Sequence, residues 1–597
     1  MKKSKISFWR IFWPSLVAGI VLIIIGFIFI SGFIGVLMQP KQSAPISKNT
    51  VLHLRLDKII NETSKRDLEF GLNGIGLAQK TGLADLLYGF EKAKTDNNIK
   101  GVFIELDGAS SGYSTATTLR NAIKDFEEES GKFVVAYHKG EFISLKQYFI
   151  ASAASENYGF HSSNFEFLGL GAELMFFKGL FDKLDIEMQV IRGPNNDFKS
   201  AVEPYFLTEM SDSSKLQVER YLNNIWLDIK TQIGKDRDLT IQELDDLANN
   251  GTIKTVTQAV ENNLLDGTKY RDEVLDLISV KAGLASSDDL KLMSFEKYAE
   301  KKFYSQQAIS NVQKANVAVI VAEGDITVNG DGIASNNITK LFRDARKDKD
   351  IKTIVFRINS PGGSALASDE IWREVTLASE EKKVIVSMGD VAASGGYYIA
   401  APADKIFAQN STITGSIGVF GVIPYTGALL ENKLGISFDR VGTNKYASSL
   451  TTNKKLTPDE LELVQSEVNS IYNDFVLRVA EGRNMTIEQV NAVARGRVWT
   501  GSDAVNIGLV DTIGGINDAI NYAVKEAGIE NPIIRYYPKI VKDELVQLIE
   551  ALEESQSSDK KVNSSFVPED VLELYKQIRK IEDMTGIQAR IPYEILW

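Results

Sequence analysis

The chain repeats itself, and that constrains its fold more than any composition figure. The stretch "GEFISLKQYFIASA", starting at Gly140, aligns without gaps on "GDVAASGGYYIAAP", starting at Gly389, an offset of 249 residues that pairs Tyr148 with Tyr397 and Ile150 with Ile399. The same offset pairs Gly169 with Gly418 and Gly193 with Gly442. Upstream, "IKGVFIELDG" pairs with "IKTIVFRINS" at an offset of 252, and downstream "RDLTIQELDDL" pairs with "RNMTIEQVNAV" at 246. These small drifts read as loop insertions. "AVENNLLD" at Ala259 then lines up with "AVNIGLVD" at Ala504. The halves are therefore divergent copies of one unit.

Within each copy, short apolar runs alternate with helical stretches: "VAVIVAEGDI", "NNITKLFRDARKD", "IKTIVFRINS", "ASDEIWREVTLA", "KKVIVSMGD". Strands separated by helices of this length predict βαβ units and a mainly parallel sheet, an α/β fold in tandem duplication. Longer helices follow, as in "TPDELELVQSEVNSIYNDFVLRVAEGR". There Thr457 starts the helix, Pro458 sits in its first turn, and Asp459 and Glu460 favour its positive end. The expected organisation is an N-terminal segment over 1–45, copies over 46–310 and 311–545, and a linker and tail over 546–597. The polar run Glu554 to Ser565 reads as a flexible linker.

No charged residue occurs from Ile11 to Pro40, and "SLVAGIVLIIIGFIFISGFIGVL" exceeds the roughly 20 residues a helix needs to cross a bilayer. One transmembrane helix is expected. Lys2, Lys3, Lys5 and Arg10 precede it, which keeps the N-terminus cytoplasmic and exports the body to the periplasmic side. A cleaved signal peptide fits less well, because the apolar core is too long and no A-x-A site follows it.

Charge and composition exclude several functions. A net charge of -12 argues against nucleic-acid binding, which needs a basic stripe to neutralise phosphates. With no cysteine, a thiol nucleophile and thiolate metal sites are excluded together. No metal-ligand spacing such as H-E-x-x-H occurs, and no metal or organic cofactor is expected.

Chemistry gathers at "GDVAASGGYYIA". A strand ends there, Ser394 follows, and Gly395 and Gly396 open a helical turn. That places a hydroxyl at a helix N-terminus, where a developing anion is favoured and backbone N–H groups can approach a substrate. "NSPGGSA", Asn359 to Ala365, is a second glycine turn after a strand, suited to donating oxyanion-hole N–H groups. On pattern alone, tight turns without chemistry are the more common explanation of both.

A serine nucleophile needs a base. His53, His138 and His161 all lie in the first copy, none in a patterned site, so structural roles are expected for them. Among many lysines, Lys199 in "NNDFKSAVEPYF" stands in an apolar, loop-like stretch. As a base near neutrality its pKa must fall by roughly three units, about 4 kcal/mol of differential solvation, which burial can supply.

Five motifs in order, "NDFKSAVEPY", "NSPGGSA", "GDVAASGGYYIA", "TGSIGVFG" and "RVWTGSDAVNIGLVDTIGG", resemble the long, two-repeat form of bacterial signal peptide peptidase A, or protease IV. The resemblance spans nearly the whole chain. It implies two units related to the Clp protease and crotonase spirals, with Ser394 as nucleophile and Lys199 as general base. It further implies that Ser416 orients the lysine and that Gly363 and Gly395 present oxyanion-hole N–H groups. A homotetramer at the inner membrane and peptide substrates left over from signal-peptide cleavage are also implied.

The register of the repeat agrees independently. Ser394 falls on Leu145 in the first copy, and Lys199 falls on Ser448 in the second, so each copy lacks what the other keeps. One composite site per chain is expected. Fusion of neighbours from a ring of single units would explain it. Two rival readings remain: a crotonase-like acyl-thioester enzyme, and a non-catalytic membrane-associated scaffold of the same fold.

Overall fold

The computed structural model describes residues 46–71, 74–108, 111–330, 332–538 and 586–590. The expected transmembrane helix, the polar linker and the last residues of the tail lie outside the described residues. Among the described residues, no helix is long and apolar enough to cross a membrane. Residues 65–80 belong to a separate small unit, a hairpin in which Lys65–Gly71 pairs antiparallel with the strand beginning at Gly74. The described residues 48–64, 81–108, 111–330, 332–538 and 586–590 lie in one compact body, which holds the sheets of both copies.

The duplication is written into the strand order. In the first copy six parallel strands run Gly267–Thr268, Glu156–Gly159, Phe133–His138, Ile99–Leu106, Thr50–Leu56 and Lys291–Ser294 across the sheet. The second copy repeats that order with Thr512–Ile513, Lys405–Ala408, Lys383–Ala393, Thr353–Ser360, Val317–Glu323 and Ile534–Tyr537. Matching helices follow matching strands, for example Tyr113–Ser130 with Ala365–Glu381 and Asp212–Arg237 with Pro458–Arg483. Even a single buried contact recurs: Tyr148 donates its hydroxyl proton to Leu264 O and Tyr397 donates to Leu509 O, both at 2.8 Å.

Helices cover the strands, so the central strands are buried on both faces and read as near-continuous apolar runs. In Val317–Glu323 every residue but the last is buried. Helix Ser335–Lys347 buries Ile338, Phe342 and Ala345, one stripe at helical spacing, and the Phe342 ring meets Phe356 edge-on at 4.8 Å. The exception in the run "TIVFRINS" is Arg357. Its buried guanidinium is held by Glu62 at 2.8 and 3.0 Å and donates to Ser387 Oγ and Met388 O, which satisfies the charge inside the core.

The long helix begins as expected. Thr457 accepts from the Glu460 N–H while Glu460 reaches back to the Thr457 N–H, a capping box with Pro458 in the first turn.

The copies also pair directly. Glu187–Arg192 of the first runs antiparallel to Phe420–Tyr425 of the second, with Arg192 opposite Phe420. A six-stranded sheet grows from this pair through Gly586–Arg590, Gly362–Ser364, Ile326–Thr327 and Ile333–Ala334. Its register delivers the loop after Arg192 to the segment around Ser416, and thereby builds the site.

Candidate active site

Ser394 ends the strand Lys383–Ala393 and precedes the short helix Gly395–Ala400. Its φ of 56° and ψ of -115° lie where non-glycine residues are rarely found, so the turn stores strain that its surroundings must hold. Several bonds hold it. The Ser394 N–H donates to Gly415 O at 2.8 Å. Asn359 Oδ1 accepts from the Val391 N–H, and Asp390 accepts from Gly112 N, Thr115 N and Thr115 Oγ1 at the start of a first-copy helix. Gly396 is required by close approach: a Cβ there would lie 2.7 Å from Ser360 O.

Lys199 comes from the other copy. The expected loop is partly ordered into a 3-10 turn, Ser200–Val202, and a short helix, Glu203–Phe206, and Lys199 stands immediately before them. Pro204 in the first turn supports that helix. Gln217 Nε2 donates to Phe198 O and Ser200 Oγ, bracketing the lysine on both sides.

Within one chain, Lys199 Nζ lies 2.7 Å from Ser394 Oγ and 3.0 Å from both Ser416 O and Ser416 Oγ. All three residues are fully buried. Burial pushes the Lys199 amine well below its ordinary value of 10.5. Ser416 itself has φ of 50° and passes its hydroxyl proton to Gly496 O at 3.2 Å.

Three oxygens within 3.0 Å of Nζ can accommodate a neutral amine as well as a charged one, and for the neutral form burial favours, one arrangement uses every group. In it the amine's lone pair faces the Ser394 hydroxyl, its two N–H groups face Ser416 O and Oγ, and the Ser416 proton is spent on Gly496 O. Such an amine can take a proton from Ser394.

Of the oxyanion-hole candidates, Gly395 is the first residue of its helix, where N–H groups have no intrahelical partner. Gly363 lies in the strand Gly362–Ser364, and a Cβ there would lie 2.1 Å from Ile326 O.

The first-copy counterparts Leu145, Lys146 and Gln147 are buried in the helix Leu145–Ala151. Burial pushes the Lys146 amine down to about 8, and it lies over the Tyr113 ring at 5.5 Å.

The histidines sit elsewhere. His53 Nε2 lies 2.9 Å from a Glu105 carboxylate oxygen, His161 bonds Ser162, and burial pushes His138 down to about 3, which keeps it neutral. Among the described residues, no group of three or more histidine or carboxylate side chains could hold a metal ion.

Sequence reasoning passed over the turn Arg495–Arg497, which lies against Lys199, and Asp390, which ties the approach to Ser394 onto the first copy. Only the repeat offers a signal for the turn, since Gly496 pairs with Gly251 at the offset of 245 that aligns Ala259 with Ala504.

The sequence profile of peptidase family S49 matches this chain twice, over residues 127–285 and 376–530. The first match holds Lys199 and the second holds Ser394 and Ser416. "Serine protease SPPA, chloroplastic" of Arabidopsis thaliana is 33% identical over 494 residues, 81% of this chain and 70% of its own. "Protease 4" of Haemophilus influenzae is 31% identical over 509 residues, 81% of this chain and 80% of its own. A shorter alignment, 37% identical over 204 residues, joins 34% of this chain to 58% of "Putative signal peptide peptidase SppA" of Enterococcus faecium. Because the family profile falls on both copies and relatives align over 81% of the chain, this chain is a serine protease belonging to peptidase family S49, in its long two-repeat form.

Proposed function

We propose that the chain is a membrane-anchored endopeptidase with a Ser394/Lys199 dyad, degrading apolar peptides such as cleaved signal peptides outside the cytoplasmic membrane. The 2.7 Å approach of a fully buried lysine amine to Ser394 Oγ carries this reading. Neutral Lys199 takes the Ser394 proton as Oγ attacks the peptide carbonyl, and N–H groups of Gly363 and Gly395 receive the oxyanion. The lysine ammonium then protonates the leaving amine. Water, activated by the same lysine, hydrolyses the acyl-enzyme, while Ser416 keeps the amine oriented throughout.

The remaining architecture belongs to the same proposal. Each copy, over 46–310 and 311–545, is a unit of the Clp protease and crotonase spiral type, with the anchor within 1–45 and the tail over 546–597. The uncharged run from Ile11 to Pro40, with lysines and an arginine before it, supports a single-pass inner-membrane protein with its body on the periplasmic side. A homotetramer follows from the resemblance and from the fused-ring origin of the duplication. The Enterococcus relative's description supports signal-peptide remnants as substrates.

An extended peptide is proposed to bind as an added strand. In support, Gly586–Arg590 pairs antiparallel with Gly362–Ser364 on one side and with Phe420–Tyr425 on the other, so these two edges accept a strand beside Ser394's oxyanion turn. Peptide entry then requires that segment to leave. The full chain in detergent is expected to turn over an internally quenched apolar peptide, and a chain ending before Gly586 to do so with a lower KM. No turnover by either chain would favour the scaffold. Turnover with an unchanged KM would place the peptide elsewhere.

A further inference from the structure

We infer that Gly496 is a positioning residue for the dyad: the turn Arg495–Arg497 wedges between Lys199 and Ser416, and only a residue without a side chain lets it lie there. The inference rests on the Ser394/Lys199 reading.

Both faces of the turn are bonded. Toward the lysine loop, Arg495 O accepts from the Phe198 N–H at 2.9 Å, and the Arg495 and Arg497 guanidiniums lie over the Phe198 ring at 5.2 and 4.9 Å. Toward the serine, Gly496 N donates to Ile417 O at 2.9 Å, Ser416 N donates to Arg497 O at 2.7 Å, and Ser416 Oγ donates to Gly496 O at 3.2 Å. One turn thus sets the height of Lys199 and the direction of the Ser416 hydroxyl.

The fit leaves no room. At Gly496, φ is +68°, and a Cβ would lie 2.5 Å from Lys199 Cβ, 2.7 Å from its N and 2.8 Å from its Cα. Backbone atoms are among these, so no side-chain rotation relieves the clash. Gly418 closes the opposite side, where a Cβ would lie 2.9 Å from Gly496 Cα and 3.3 Å from Lys199 Cδ.

The duplication supplies a control. Gly251, the counterpart of Gly496, has the same left-handed backbone with φ of +55°, yet a Cβ there would meet nothing nearer than Leu168 Cδ2 at 4.0 Å. Gly251→Ala therefore reports the backbone cost alone, and Gly496→Ala reports that cost plus displacement of the lysine.

The test measures kcat, KM and the acid limb of the pH–rate profile for Gly496→Ala, Gly418→Ala, Gly251→Ala and Ser394→Ala in the full chain. Gly496→Ala is expected to lose about 10²-fold in kcat, the scale of a misplacement near 1 Å, with KM within about twofold. Its acid limb moves to higher pH, because a displaced lysine regains solvent. Gly418, whose backbone is outside the left-handed region, gives the same changes in smaller measure, and decides the matter if Gly496→Ala fails to fold. Gly251→Ala keeps kcat and the limb. Global destabilisation alone would not move the limb. The inference is overturned if the Gly496 and Gly418 variants match Gly251→Ala while Ser394→Ala is inactive. Persisting activity in Ser394→Ala would instead overturn the dyad reading beneath it.

Discussion

Lys199→Ala and Ser394→Ala are each expected to reduce peptide turnover by at least about 10³-fold, with the double variant little worse than either single one. A positioned general base contributes about 10² to 10⁴-fold, and removing the nucleophile removes the covalent route altogether. Groups that act as a unit lose their effect together, so the deletions do not add. Here the unit is visible: the amine and the hydroxyl are 2.7 Å apart and both are buried beyond the reach of bulk water. Steady-state hydrolysis of an apolar quenched peptide, with each variant's folding checked by thermal melting, measures the effect. A folded Lys199→Ala enzyme retaining more than about a tenth of wild-type activity would place the base elsewhere.

Stability and activity should both depend on the charge state of Lys199. Burial lowers its pKa well below 10.5, whereas the unfolded chain leaves the lysine near its ordinary value. Below the folded pKa, both states carry the proton, the folded state bears a buried cation, and stability does not vary with pH on this account. Between the folded pKa and 10.5 the unfolded state binds more protons, so stability rises with pH by about 1.4 kcal/mol per unit. Above 10.5 the gain is complete. Denaturant titrations of wild type and Lys199→Met at several pH values isolate this slope, since every other titrating group is shared. The wild type is expected to gain on the variant as pH rises toward 10.5, and parallel curves would contradict the burial argument. Activity follows the same protonation, rising with pH through the folded pKa as the amine becomes free to accept the Ser394 proton.

What was legible in the sequence was whatever depends on local pattern. Short apolar runs between helical stretches are what strands buried on both faces look like, and capping residues mark helix starts, so the βαβ reading and the start of the helix at Thr457 could be taken from the letters. The match at Tyr148 and Tyr397 went further, because the same residue in the same pattern makes the same buried hydrogen bond in both copies. The turn at Ser394 was legible for a similar reason. Two glycines after a strand announce a close approach of backbone, and at Gly396 a Cβ would lie only 2.7 Å from Ser360 O.

The base was different. Its apolar, loop-like stretch made Lys199 a candidate but did not set it apart decisively, since a depressed pKa is a property of what surrounds the amine in the fold and not of its neighbours in the chain. The resemblance and the complementary losses at Leu145 and Ser448 were what narrowed the choice to it. The antiparallel register of Glu187–Arg192 on Phe420–Tyr425 carries the lysine to a serine 195 residues away, and pairing across such a separation depends on the whole packed body. Gly496 was illegible for the same reason, because its twin Gly251 has the same residue type and backbone but empty space beside it. By itself, then, the sequence determined the duplicated α/β unit and the glycine turn after Ser394, which follow from short-range sterics and burial, whereas the strain at Ser394 is a finding of the structure. The tertiary structure alone decided that the amine is dry, which oxygens surround it and which glycine makes room for it, because desolvation and close contact exist only once distant segments are packed together.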